Sequence, residues 1–278
     1  MSTQSPIPDD DARTSVAALP TCELLGMSLA QIGQEALLDH MFAALARGRG
    51  GWLVTANLDF LYRYVRDVEA RALYDAADIR VADGMPLVWA ARLQGDAVPE
   101  RVTGATLVSV IAGRAAADKR SLYLLGGSPG AGERAAVVLS ERFPGLEIKG
   151  TSSPWLSDPA TAAELEPVAR ELTRLRPDIV FVGLGSPKQE KLIQAVRGQL
   201  PAAWMIGVGV SFSFVAGDIR RAPRWMQRTG LEWLTRLVQE PRRLGRRYLI
   251  ENLPFSVSLF AHALRRRVAR RKADGSGP

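Results

Sequence analysis

The sequence predicts an α/β protein: a Rossmann-like, mostly parallel sheet with helices on both faces, carrying a helical, basic C-terminal appendage. Three observations lead there. Short apolar runs of strand character alternate with helical patterns between residues 21 and 218, which is how parallel strands joined by crossover helices read. Gly, Asp, Asn and Gln gather at the carboxyl ends of those runs, where such sheets bind ligands. Charge is segregated along the 278 residues: 219–278 hold 15 Lys+Arg against 4 Asp+Glu, while 1–218 hold 21 against 25. The length suffices for one large domain with a sizeable core.

Residues 1–20 are polar, acidic and contain proline, so they read as a disordered leader without a secretory signal. Ser28 is positioned to cap a helix running to about Ala46. Strands are predicted at 51–56, 79–82, 121–125, 146–149, 178–183 and 204–208. Helices are predicted at 87–93, 106–117, 132–143, 160–175 and 189–196. This core spans 21–218, and the appendage 219–278. Within the appendage, 254–264 is apolar and 265–272 holds five Arg and one Lys. The apolar run is too short to cross a bilayer. It fits a helix lying in an anionic interface at ~1 kcal/mol per basic residue, or a docked helix with a solvated charged end. The protein is expected to be cytoplasmic, peripherally associated with the inner face of the plasma membrane.

Composition excludes several chemistries. A single cysteine, Cys22, allows neither a disulfide framework nor a cysteine zinc site within the chain. His40 and His262 are far apart in sequence, which gives a histidine-based triad little to build on. No Asp-x-Asp pair stands at a strand end in the body, so a metal-dependent sugar-nucleotide site of that kind is unsupported. No metal site and no cofactor is expected. The mildly acidic body argues against nucleic acid as a partner and for a local anionic one.

The strand-end residues form one candidate crevice: Asn57 and Asp59, Asp83 and Gly84, Gly126 and Gly127, Gly185 and Gln189, Gly207 and Gly209. Asp83 follows the strand 79–82 directly. It is either a general base, which needs its carboxyl raised above the usual ~3.9, or an N-cap of the next helix. The Gly126–Gly127 turn opens a helix whose amides suit a phosphate, or it is a turn that needs glycine. Its spacing fits neither the dinucleotide fingerprint nor a P-loop. The run Gly183-Leu184-Gly185-Ser186-Pro187-Lys188-Gln189-Glu190 sets polar groups at a helix mouth that favours anions. From 208 to 248, Trp, Leu and Arg alternate. Guanidinium groups on an aromatic scaffold suit bidentate phosphate binding, as in an enzyme acting on diphosphates at a membrane surface.

Five ordered blocks carry a resemblance. They are Thr55-Ala56-Asn57; Ala82-Asp83-Gly84-Met85; Glu100-Arg101-Val102-Thr103-Gly104; the Gly183–Glu190 run; and Ala216-Gly217 through Arg221-Ala222-Pro223 to Glu232-Trp233 and Glu240-Pro241. Together they resemble the bacterial WecG/TagA/CpsF glycosyltransferases. The resemblance implies an inverting, metal-independent transferase. It moves N-acetylmannosamine, its uronic acid or glucose from a UDP-sugar to a polyprenyl-diphosphate-linked saccharide during surface-polymer assembly. It implies Asp83 as the base, Thr55, Asn57 and Gln189 as substrate contacts, and Arg101 near the same crevice. Arg236, Arg243 and Arg246 are then the arginines that close over the leaving diphosphate. It also links the appendage to membrane docking and to a change from oligomer to active monomer. Ser213 departs from the pattern, standing where many members have Asp. Two rivals are an oxidoreductase built on the glycine turn and a non-catalytic membrane or nucleic-acid adaptor using the arginine tail.

Overall fold

The computed structural model describes residues 19–274, apart from the side chains of Arg224, Arg228, Arg243 and Asp274. The expected leader lies almost wholly outside the described residues. Strands β1 (Thr21–Leu24) and β2 (Met27–Ala30) form an antiparallel hairpin. Six strands build the main sheet: β3 (Gly51–Ala56), β4 (Ile79–Ala82), β5 (Ser121–Gly126), β6 (Glu147–Ser152), β7 (Ile179–Gly183) and β8 (Trp204–Gly207). All its pairings are parallel, in the order β4-β3-β8-β7-β5-β6. The Rossmann-like α/β prediction is therefore correct.

The central strands are apolar along their whole length because helices cover both faces. Successive residues alternate between two cores. Trp52, Val54, Tyr123, Val180, Val182 and Met205 belong to one. Leu53, Leu122, Leu124, Phe181, Trp204 and Ile206 belong to the other. The helices fall close to the predicted spans, for example Met85–Gln94, Gly104–Ala117 and Lys188–Val196.

One expected element is wrong. No helix starts at Ser28, which lies in β2, and the helix Gln34–Ala46 starts after Gly33. The turn at Leu25 and Gly26, with φ of 49° and 92°, folds the chain back into a hairpin instead. Its β2 strand lies beside β4, with Arg80 Nε donating to the Ser28 carbonyl at 2.9 Å. The hairpin thereby covers an edge strand. Helices Leu58–Arg66 and Val68–Asp75 were also unforeseen; Asn57 and Asp67 cap them.

The appendage consists of the short helices Arg224–Arg228, Glu232–Gln239 and Pro241–Gly245 and a π-helical stretch, Arg246–Asn252. These run into the long helix Leu253–Asp274. Phe255, Leu259 and Ala263 recur every four residues on the long helix and are buried. That face packs on the helix Met85–Gln94. Leu253, Val257, Leu264 and Val268 remain exposed on the same helix. The last helix is therefore docked along one stripe and open along another.

Candidate active site

A cavity of about 520 Å³ opens over the carboxyl ends of β4, β3, β8 and β7. The appendage forms its far wall with Glu232, Trp233, Arg236, Leu244, Arg247 and Tyr248.

Asp83 stands half-buried in this cavity. Its amide donates to the Ala56 carbonyl at 2.7 Å, extending the β3–β4 ladder by one step. The helix that follows is capped by Gly84 and not by an Asp83 side chain. The carboxylate instead accepts from Gly104 N at 3.3 Å, the first amide of a different helix. Burial pushes the Asp83 carboxyl up to about 6. Arg101, the Gly104 amide and Arg221 pull it back down, and Glu232 adds to the rise. Such a group holds a proton weakly enough to be ionised near neutral pH and strongly enough to accept another.

Thr55 is buried at the end of β3 and lines the cavity. Asn57 also lines it, with its side-chain oxygen committed to Asp59 N at 3.0 Å and Phe60 N at 3.2 Å. The functional candidate is thus also a helix cap. Gln189 is buried beneath the end of β8. Its Nε2 donates to Glu190 Oε1 at 2.7 Å and its Oε1 accepts from Gly209 N at 3.0 Å. Gly207 is required for this approach, since a Cβ there would lie 2.5 Å from Gln189 Nε2. Glu190 is buried as well, and desolvation raises its carboxyl to about 7. Gly185, at φ 75°, lines the cavity beside Ser186.

Gly126 and Gly127 do not line it. A Cβ on Gly126 would meet Leu184 at 2.8 Å, and one on Gly127 would meet Phe212 at 3.1 Å. At φ of 92° and 91° these glycines serve a tight turn packed against the neighbouring loop.

Arg101 lines the cavity and donates through Nη1 to Glu232 Oε2 at 2.8 Å. The other oxygen of Glu232 accepts from Arg221 Nε at 3.0 Å. Arg236 lies over the Phe214 ring, its centre 5.5 Å from the ring centroid, and pairs with Glu240 at 2.7 Å. Its Nη1 is buried and finds no hydrogen-bond partner among the described residues. A buried donor in that state calls for an acceptor from elsewhere. The side chain of Arg243 lies outside the described residues. Arg246 is 83% exposed, pairs with Glu251 at 3.5 Å and is not part of the cavity wall. Arg247 occupies that wall instead and reaches the buried Asp59 at 2.7 Å. Both arginines open the π-helical stretch Arg246–Asn252.

Sequence reasoning attached no role to Arg221, Glu232 or Arg247. Arg221 and Glu232 stand in the last of the five blocks, but only the fold shows that Glu232 joins Arg221 to Arg101. Arg247 carried no signal separable from Arg246. Among the described residues, no three His, Cys, Asp or Glu side chains converge in a metal-binding group. The chemistry the cavity offers is one poised carboxylate on a sheet edge, faced by guanidinium groups of which three, Arg221, Arg236 and Arg247, belong to the appendage. That suits deprotonation of a hydroxyl beside a polyphosphate.

The family model described as glycosyl transferase WecG/TagA/CpsF family matches residues 22–269. Two relatives are each named N-acetylglucosaminyldiphosphoundecaprenol N-acetyl-beta-D-mannosaminyltransferase. The protein of Bacillus subtilis strain 168 is 30% identical over 208 residues, covering 75% of this chain and 79% of the relative. That of Bacillus spizizenii strain W23 is 30% identical over 202 residues, covering 73% and 76%.

Proposed function

Since this chain belongs to the WecG/TagA/CpsF glycosyltransferase family, we propose that it moves a hexosyl group from a UDP-sugar to a saccharide carried on undecaprenyl diphosphate. The observation that carries this reading is Asp83, a carboxyl raised to about 6 inside a cavity walled by arginines. In the reaction, Asp83 takes the proton of the acceptor hydroxyl. That oxygen bonds to the anomeric carbon from the face opposite the nucleotide, and the bond to UDP breaks. Configuration inverts, and the diphosphate leaves with the bonding electron pair. Arg236 and Arg247 neutralise the departing charge, so the reading needs no metal ion. Thr55, Asn57, Arg101, Gln189 and Gly185 shape the sugar and hydroxyl subsites. N-acetylmannosamine is the favoured donor sugar, in line with the names of the two relatives. The product enters a cell-surface polysaccharide.

The acceptor's lipid brings the protein to the inner membrane surface. Among the described residues no helix is long and apolar enough to cross a membrane. The exposed Leu249, Ile250, Leu253 and Val257 around the start of the last helix, with the exposed Leu264 and Val268 beside its basic end, support peripheral contact. The test is a donor screen against N-acetylglucosaminyl-diphospholipid, reading UDP release and product mass. UDP release with a product heavier by one N-acetylhexosamine is expected. No transfer from any UDP-sugar would refute the reading.

A further inference from the structure

We propose that Glu232 is a positioning residue that couples seating of the appendage to the geometry of Asp83. This rests on the reading of Asp83 as the base. Glu232 opens an appendage helix, and neither of its oxygens is spare. Oε2 holds Arg101 Nη1 at 2.8 Å and Oε1 holds Arg221 Nε at 3.0 Å. Both arginines are mostly shielded from solvent, with side chains 14% and 22% exposed.

Arg221 continues inward. Its Nη2 donates to Thr103 Oγ1 at 3.1 Å and its Nη1 to Thr106 Oγ1 at 3.0 Å. Thr103 is the N-cap of the helix Gly104–Ala117, its hydroxyl accepting from Thr106 N at 3.2 Å. The next amide, Gly104 N, is the one that holds Asp83 Oδ2. An unbroken chain therefore runs from Glu232 through Arg221 and Thr103 to Gly104 and Asp83. A second, shorter route runs through Arg101, whose charge acts on Asp83 directly. Gly104 lies close to Thr55, since a Cβ there would lie 3.3 Å from Thr55 Oγ1.

The consequence is conditional assembly. With the helix Glu232–Gln239 away, Arg101 and Arg221, the latter still held by Thr103 and Thr106, lose their shared counter-charge, and two unneutralised guanidinium groups face the base. Asp83 then ionises more readily but binds the acceptor's proton more weakly. With the appendage seated, Glu232 quenches both arginines, fixes the cap and restores the stronger base. The charged groups acting on Asp83 are Arg101, Arg221 and Glu232, joined by the Gly104 amide.

The experiment uses the full chain. Glu232→Gln and Glu232→Asp are compared with the parent in kcat and KM across pH, with circular dichroism as the folding control. Glu232→Gln is expected to lower kcat by roughly 10–100-fold, to change donor KM much less, and to move the acid limb of the rate profile to lower pH. Glu232→Asp keeps the charge and is expected to return the limb toward its original position. A purely structural role would lower activity without moving the limb. An unmoved limb in a folded Glu232→Gln protein therefore overturns the proposal. Asp83→Asn, run in parallel, separates the two readings. If Asp83→Asn is inactive while the Glu232→Gln limb stays put, only the Glu232 role falls. If Asp83→Asn is fully active, both fall.

Discussion

The sheet edge and the wall that faces it are held by different means. At the edge, Asp83, Thr55 and Gln189 are fixed by strand ladders, helix amides and a close backbone approach at Gly207. The facing wall is held largely by ion pairs: Glu232 with Arg101 and Arg221, and Arg247 with Asp59. Its helix Glu232–Gln239 buries no residue fully, whereas β5, β7 and β8 are buried throughout. Elements with few buried apolar contacts open at lower free energy than core strands. On the proposed reading, the base sits on the half held by the core, and the assisting charge sits on the half held more by ion pairs.

The sharpest way to break this contrast is at the edge. Asp83→Asn is expected to fold normally and to lose about 10³-fold or more in turnover, the upper part of the general-base range. UDP release under saturating substrates measures it. On the wall, Arg236→Ala is expected to cost about 10²-fold in kcat, as loss of one donor to a developing oxyanion does. Its melting temperature should fall modestly, because the pair with Glu240 and the contact over the Phe214 ring go with it.

Arg247→Ala comes next. Asp59 keeps Arg63 at 3.0 Å, so the buried carboxylate is not left alone. A loss on the order of tenfold is expected from misplacement of the wall, and it should deepen with added salt if the wall is held by charge.

The smallest effect on activity is expected for Glu190→Gln, because Gln also accepts the bond from Gln189. Its signature is in stability. Glu190 is raised from 4.5 to about 7, so the folded state binds more protons than the unfolded state between those values. Stability is therefore greatest below the lower value and falls as pH rises through about 7. Glu190→Gln should remove that fall, read as melting temperatures at about pH 5 and about pH 8.

The sheet was legible because its strands are continuous apolar runs ending in polar residues, a pattern that burial on both faces imposes. Asp83 was legible for the same reason, being the first polar residue after β4. What sequence could not decide was whether its carboxylate capped the next helix. That depended on Gly104, a residue 21 positions away that only the fold brings near. Ser28 misled because a hydroxyl before a helical pattern reads as a cap. The hairpin that claims it is favoured by the left-handed turn at Leu25–Gly26 and by Arg80 on β4. The glycines after β5 looked like a phosphate loop, yet Leu184 and Phe212 fill the space beside them. Along the wall, Arg246 and Arg247 are adjacent and chemically identical, and only the fold shows which one faces the cavity.

The central claim is that the carboxylate at the end of β4 is the proton acceptor, tuned by its surroundings. Its most direct test is kcat/KM of the full chain from about pH 4 to about pH 9, with Asp83→Glu alongside. The account predicts an acid limb centred near 6 in the parent, where burial sets Asp83, and a displaced limb in the variant. A flat profile across that range, or one the substitution leaves untouched, would contradict it.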